Sequence, residues 1–288
     1  MKTLDDSQKE KLRIELITDY NAPDYHPITE TRRIQTLERD IVLQYGFEGI
    51  KLVFEEQNSS HYHPLGQFPK NCPWFSWNDK TLQEFVATNF GAISQKIPRL
   101  LFTLKEQCTF LYCEEDEGQW YLHYLFTQVP DRFGSGEYIV VYTGGAPLAD
   151  PKPNSSLVSH DWQIPDDLAE FYAIHNGFGM EETYCILPNE KLEVLADTMG
   201  EEESDDVFDF LSAHLPAIEP AEEKAKEDKG LYKELLKFYP DNAGNAQCFY
   251  KRGRNTTVRW WHDDDNTLDE VGFFEFIDEA MSALDDPF

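Results

Sequence analysis

The sequence WQIPDDLAEFYAIHNGFG at residues 162–179 contains the clearest helix signal in the chain. Pro165 suits the first helical position, and Asp166 and Asp167 complement the positive end of a helix dipole. The apolar residues that would share one helix face are Leu168, Phe171 and Tyr172. Gly177 can adopt the left-handed conformation that ends a helix. The segment therefore predicts an amphipathic helix that ends at Gly177.

Downstream of this helix, the sequence predicts a hairpin and a closing helix. Residues Ala246 to Tyr250 and Thr256 to Trp261 have strand-like composition, and the residues between them are typical of a hairpin turn. Residues 267–270 read Thr-Leu-Asp-Glu, which matches a capping box. Apolar residues then recur at helical spacing, so we expect a helix that carries Phe273 and continues towards Leu284.

Upstream of it, the sequence predicts a helix and an antiparallel meander. A polar start and helical spacing favour a short helix near residues 78–86. Strand-like runs follow: Leu100 to Tyr112, Gln119 to Phe126 and Glu137 to Tyr142. Residues 144–156 are rich in Gly, Pro, Ser and Asn and are typical of a linker. The predicted fold class is α+β with mostly antiparallel sheets, in two domains at 1–150 and 157–288.

The charge of the chain is strongly negative. Its 288 residues include 25 Lys and Arg against 54 Asp and Glu, which gives a formal net charge of −29. Such a surface repels nucleic acid and anionic lipid, and it accelerates encounter with a basic partner. A second interpretation is that the acidic surface serves solubility alone. Charge by itself does not choose between these two interpretations.

The cysteines and the apolar runs indicate a cytoplasmic protein. Five cysteines are scattered without a close pair, so the spacing predicts neither a disulfide framework nor a zinc knuckle. The first ten residues are charged and lack the apolar core of a signal peptide. Apolar runs do not approach the roughly 20 residues that span a bilayer. We therefore expect a reducing compartment and no membrane association.

Two clusters contain metal-ligand residue types. His61 and His63 flank Tyr62 upstream of Cys72, and such a pair can bind zinc or copper, but two partly exposed histidines in a Pro-rich loop are the better explanation. Residues 262–266 read His-Asp-Asp-Asp-Asn, but read as a calcium-binding loop they lack the required glycine and bidentate glutamate. The sequence also lacks a GxSxG elbow and a phosphate-binding glycine loop. We expect no catalytic residues, no metal and no cofactor, and therefore no enzyme.

The sequence offers two kinds of candidate binding residue, which are clustered acidic residues and one tryptophan. Residues 201–206 form a dense acidic patch, which is either a solvated face or a docking site for a cationic surface. Trp261 follows the outer strand of the predicted hairpin and is either part of the core or an interface anchor. The predicted toxin-binding residues are Glu201, Glu202, Glu203, Asp205, Asp206, Trp261, Asp263, Asp264 and Asp265.

Several motifs in residues 157–284 resemble the SUKH superfamily. They are Ile-Pro-Asp-Asp-Leu at 164–168, Asn-Gly at 176–177, the strand Val-Arg-Trp-Trp-His-Asp-Asp at 258–264, and the aromatic helix at 273–277. That superfamily includes bacterial toxin-immunity proteins and yeast cell-wall assembly regulators. The resemblance implies an α+β fold and a cytoplasmic protein that binds and blocks a cognate toxin in interbacterial competition. An alternative within the same fold is a non-catalytic regulatory or scaffold module.

Overall fold

The computed structural model describes residues 62–130, 137–180, 184–198, 232–241, 245–251, 256–260 and 271–284, together with Ser7. The chain divides into two compact units. Unit 1 contains Met1–Gly91, Arg99–Thr143 and Ser282–Phe288, and unit 2 contains Ala92–Pro98 and Gly144–Met281. The predicted domains at 1–150 and 157–288 stay a prediction.

The first described helix of unit 1, α1 (Leu82–Asn89), begins directly after its N-cap residue, Thr81. Thr81 and Glu84 form a capping box: the Thr81 side chain accepts from the Glu84 N–H, and the Thr81 N–H donates to the Glu84 carboxylate. The buried face carries Phe85, whose ring meets Trp77 edge-on at 5.1 Å. A helix lies where the sequence predicts one, although it begins four residues later.

The next segment forms helix α2 (Pro98–Glu106), so the predicted strand at Leu100 to Tyr112 is wrong over its first half. Proline is favoured at the first helical position. The buried residues Leu100, Thr103 and Leu104 share one helical face. The run of apolar residues is therefore an amphipathic helix followed by a strand.

The meander of unit 1 is antiparallel, as predicted. Its strands are β1 (Tyr62–Pro64), β2 (Phe110–Asp116), β3 (Gln119–Pro130) and β4 (Glu137–Gly145). They lie in sequential order in the sheet. In the register of β1, β2 and β3, Cys113 lies opposite His63 on one side and Leu122 on the other.

Unit 2 begins with two short helices, α3 (Ser155–Ser159) and α4 (Asp166–Tyr172). Pro165 is the N-cap of α4 and does not occupy its first position. The helix ends well before Gly177, which lies in strand β5 (Asn176–Gly179) with a φ of +80°. The left-handed conformation at Gly177 was therefore predicted correctly, but it does not end the helix.

From β5 onward, the described strands pair antiparallel with one another. Strand β5 pairs with β6 (Cys185–Ile186). A five-stranded sheet follows, made of β7 (Glu193–Val194), β8 (Leu235–Pro240), β9 (Ala246–Tyr250), β10 (Thr256–Trp260) and β11 (Val271–Gly272). Its strand order is β11-β10-β9-β8-β7. The predicted hairpin corresponds to β9 and β10, which pair directly.

The closing helix α5 (Phe273–Ala280) begins later than the predicted capping box at 267–270. Residues 261–270 lie outside the described part of the chain, and Val271 and Gly272 form a strand. Gly272 is the N-cap. The buried Phe273 ring contacts Phe238 and Phe249, each at a centroid distance of 5.3 Å, so α5 packs on the five-stranded sheet.

The α+β prediction is confirmed by the five helices and the mostly antiparallel sheets of the described residues. Among these helices, none combines the length and the apolar character that a bilayer-spanning segment needs.

Candidate functional site

The nine predicted toxin-binding residues, in 201–206 and 261–265, lie outside the described residues. The same holds for His61 and for the cluster at 262–266. Of the predicted metal-ligand residues, His63 lies beside Trp120 with ring centroids 6.3 Å apart. Within the described ranges, no three His, Cys, Asp or Glu side chains are placed to hold a metal ion. The roles predicted for these residues stay predictions.

Several polar side chains of unit 2 meet in one cluster. We define the His160 cluster as Ser156, His160, Trp162, Asp197 and Lys251. All five residues belong to unit 2. They come from α3 and the turn after it, from the turn after β7, and from the end of β9. The cluster therefore joins three segments that are distant in sequence.

Helix α3 is fixed to the β7 segment by its N-cap. Asn154 Oδ1 accepts from the Leu157 N–H at 3.1 Å, as an N-cap side chain does. Its Nδ2 donates to the backbone oxygens of Asn189 and Leu192 at 2.9 and 2.8 Å. One side chain therefore both starts the helix and ties it to the neighbouring chain segment.

Two side chains from α3 and its C-cap converge on Asp197. Ser156 Oγ accepts from the Val194 N–H at 3.0 Å and donates to Asp197 Oδ2. His160 Nε2 lies 2.7 Å from Asp197 Oδ1. The imidazole is largely shielded, with 14% of its side chain exposed, whereas Asp197 is 38% exposed. Asp197 therefore accepts a hydrogen bond from each of these two side chains near the protein surface.

Lys251 completes the cluster from β9. Its Nζ donates to the His160 backbone oxygen at 2.7 Å and lies 5.7 Å from the centroid of the Trp162 ring. Trp162 Nε1 donates to the Lys233 backbone oxygen at 2.8 Å. A cation, an aromatic ring and a histidine–carboxylate hydrogen bond therefore lie close together in unit 2.

Serine, histidine and aspartate also make up hydrolase triads, but their order here is different. In a triad the imidazole lies between the serine and the carboxylate, so that it can take the hydroxyl proton. In the His160 cluster, Asp197 lies between Ser156 and His160. The carboxylate accepts from both groups, so these contacts stabilise the fold and do not activate Ser156 as a nucleophile.

Several residues of unit 2 outside the cluster are exposed. Val158 on α3 is 64% exposed. Asp161 is exposed and has a φ of +55°. Asp166 and Glu190 are exposed carboxylates. A single exposed apolar side chain is common on protein surfaces, so these residues do not by themselves mark a contact surface.

His175 is buried and has a structural role. Its Nδ1 donates to the Gly145 backbone oxygen at 3.1 Å, and its ring stacks on Phe178 with centroids 5.2 Å apart. A Cβ at Gly144 would lie 2.4 Å from Nδ1, so only glycine fits there. Burial lowers the pKa of His175 to about 4, because the charged form is poorly solvated. The imidazole is therefore neutral at physiological pH.

Lys96 supports α4 from outside the predicted C-terminal domain. Its Nζ pairs with Glu170, lies 3.8 Å from Asp167, and lies 4.3 Å from the centre of the Phe274 ring. Burial raises the pKa of Asp167, and Lys96 opposes that shift. The side chain of Lys96 therefore joins α4 to α5 within unit 2.

Sequence analysis did not find the His160 cluster or Lys96, because their contacts join residues far apart in sequence. His160 and Asp197 are separated by 37 residues, and Lys96 and Glu170 by 74. One local signal was present: Asn154 precedes Ser-Ser-Leu, which is a common N-cap pattern. It predicts α3 but not the partners of α3.

One comparison with known protein families found a match, and it lies in the C-terminal part of the chain. Residues 159–279 match the model of the SMI1 / KNR4 family (SUKH-1), which confirms the predicted resemblance. The match covers α4, the strands β5 to β11 and almost all of α5, and it includes four of the five residues of the His160 cluster. Searches of curated proteins and of solved structures found no match. The family is consistent with immunity or protein-binding roles.

Proposed function

We propose that this protein is an immunity protein that binds a cognate, basic bacterial toxin and occludes its active site without catalysing a reaction. The observation that carries the proposal is the SUKH-1 match at residues 159–279. The predicted partner is a protein, and the predicted result of binding is loss of toxin activity.

The distribution of charge supports a basic partner. Residues 159–279 hold 30 of the 54 acidic residues but only 10 of the 25 basic residues. The acidic excess is therefore concentrated in the region that matches the family. Long-range attraction between such a surface and a cationic protein raises the association rate by roughly 10 to 1000-fold, and salt weakens it.

The described polar contacts support a non-catalytic role. Asp197, the central residue of the His160 cluster, accepts from its neighbours, and His175 is buried and neutral at physiological pH. Each of these groups stabilises the fold through its contacts. A binding protein needs such a rigid support for its surface, because preorganised side chains lose less entropy on association.

A regulatory or scaffold module of the same fold is the second candidate, because the family match is equally consistent with it. The two candidates differ in the partner. An immunity protein protects growing cells from one toxin, whereas a regulatory module binds other proteins and gives no protection.

The test is co-expression with the toxin-like product of the neighbouring gene, with survival and co-purification scored at low and high salt. We expect survival and a complex that weakens at high salt. No protection and no complex would overturn the immunity proposal, and binding to other proteins would favour the regulatory candidate.

Charge reversal tests the acidic patch. We expect Lys at Glu201, Glu202 and Glu203 to slow association by about 10-fold and to flatten its salt dependence. The matched control reverses three acidic residues at the β2–β3 turn of unit 1, Glu115, Asp116 and Glu117. Stopped-flow association rates at several ionic strengths measure both variants. Equal slowing by the two variants would show a non-specific charge effect and remove the patch from the contact surface.

A further inference from the structure

Unit 1 contains two thiols that the fold brings together from distant positions. Cys72 precedes a short 3-10 helix (Phe75–Trp77), and Cys113 lies in the middle of β2. They are 41 residues apart in sequence, yet their sulfur atoms are 3.6 Å apart. Cys72 is 4% exposed and Cys113 is fully buried. The pair lies in the core beneath the loop that carries Cys72.

The backbone on both sides of the pair is well defined by hydrogen bonds. The Cys72 N–H donates to the Pro69 oxygen at 2.9 Å, and the Asn78 side chain makes two hydrogen bonds to the backbone of Phe68 at 2.8 and 2.9 Å. Cys113 is held in register between two neighbouring strands. A disulfide needs sulfur atoms about 2.05 Å apart. Formation of a disulfide therefore requires rotation about the two Cα–Cβ bonds to bring the sulfur atoms from 3.6 Å to bonding distance.

The two thiols differ in acidity. The contact with the Cys113 thiol lowers the pKa of Cys72, and the same contact, together with burial, raises the pKa of Cys113. The thiolate is the nucleophile in cysteine oxidation. Cys72 is also the thiol nearer to solvent, with 4% of its surface exposed against 0% for Cys113. Cys72 is therefore the attacking sulfur, and Cys113 is the second thiol that resolves the product.

We propose that Cys72 and Cys113 form a reversible disulfide when the protein meets hydrogen peroxide. The Cys72 thiolate attacks one peroxide oxygen and breaks the O–O bond, which gives a sulfenic acid and, after proton uptake, one water. The Cys113 sulfur then attacks the Cys72 sulfur, the S–O bond breaks, and a second water leaves. Two thiols and one peroxide thus give one disulfide and two waters. A dithiol reductant restores both thiols by exchange.

The disulfide would tie the loop at residues 65–78 to β2, the strand next to the β1 edge of the sheet. That loop carries Trp74, which is 1% exposed. Closing a long loop restricts the unfolded chain, so the oxidised protein should unfold at a temperature higher by roughly 5 °C or more. This effect is confined to unit 1 and does not depend on the function proposed for residues 159–279.

Peptide mapping tests the proposal on the full chain. The native protein is treated with a small excess of hydrogen peroxide, free thiols are blocked with iodoacetamide, and the protein is digested with trypsin without reduction. Cys72 lies in the peptide 71–80, but Cys113 shares the peptide 106–132 with Cys108. The variant Cys108→Ser removes this ambiguity. We expect a cross-linked 71–80/106–132 product, about 2 Da lighter than the two reduced peptides together, that disappears after dithiothreitol.

Two controls make the outcome decisive. In Cys72→Ser the cross-link should be absent, and peroxide should no longer raise the unfolding temperature. In Cys248→Ser, a buried cysteine of unit 2, both responses should persist. Separate alkylated peptides from the native protein, or cross-links to Cys248 in equal yield, would overturn the proposal. Wild-type protein treated in urea provides the unfolded reference, where mixed pairings are expected.

Discussion

At the residue scale, buried contacts determine the chemistry of side chains that could otherwise be functional. His175 is a general-base residue type in a glycine-flanked segment, but Gly144 and Gly145 allow it to enter the core. There it stacks on Phe178 and loses its affinity for a proton. His175 therefore stabilises the folded protein, and this stabilisation depends on pH.

The pH dependence of stability tests this assignment. The pKa of His175 is lowered from 6.5 to about 4 in the folded protein, so the unfolded chain binds the proton more tightly. The contribution of neutral His175 to the free energy of unfolding is complete above pH 6.5 and is lost as the pH falls towards 4. We expect a loss of about 2 kcal/mol between pH 7 and pH 5 from this group.

Urea unfolding at both pH values measures the effect, with His175→Gln as the comparison. Glutamine can still donate a hydrogen bond to Gly145 but does not titrate, so its unfolding free energy should change less between the two pH values. The same pH dependence in both proteins would show that other groups cause it.

At the element scale, the sequence predicted where helices and strands occur better than where they begin. The pattern around Leu100 was interpreted as a strand because its apolar residues are close together, whereas Leu100, Thr103 and Leu104 form one helical face. The capping box at 267–270 gave too early a start for α5, because pairing of β11 with β10 extends the sheet to Gly272. The capping box does not report such pairing, because it depends on β10, a strand in a different segment of the chain.

Helix α5 is held by aromatic packing, and one substitution tests this. Phe273 is fully buried and its ring lies near those of Phe171, Phe238 and Phe249. We expect Phe273→Ala to lower the unfolding free energy by about 3–5 kcal/mol, because it leaves a cavity between α5 and the sheet. Chemical denaturation measures the change.

The matched control is Glu275→Ala on the exposed side of the same helix. It should change stability by less than about 0.5 kcal/mol. Similar losses in both variants would contradict packing as the cause and would indicate a general sensitivity of the helix.

At the scale of the whole molecule, unit 2 includes two segments that precede residue 157. They are residues 92–98 and 144–156, and the predicted domains at 1–150 and 157–288 stay a prediction. Lys96 pairs with α4, and Gly145 accepts from His175. Composition marked residues 144–156 as a linker because Gly and Pro are frequent there, but close packing also requires glycine.

Truncation tests whether residues 144–156 contribute to the stability of unit 2. We expect a fragment of residues 157–288 to unfold at lower temperature than the full chain, because it loses the partners of His175 and of α4. A fragment of residues 144–288 regains Gly145 and should be more stable than the shorter one. Circular dichroism melting measures both. Equal melting temperatures for the two fragments would contradict a contribution from residues 144–156.

The central claim is that a non-catalytic protein blocks a toxin by binding it, and inhibition stoichiometry tests this most directly. Purified toxin from the neighbouring gene is titrated with this protein, and the remaining toxin activity is measured. We predict a linear loss that is complete near one molecule of this protein per toxin, with activity regained when high salt separates the complex. Complete loss at far lower ratios, or activity that does not return after separation, would indicate an enzyme that modifies the toxin. Full activity at every ratio would contradict the immunity role.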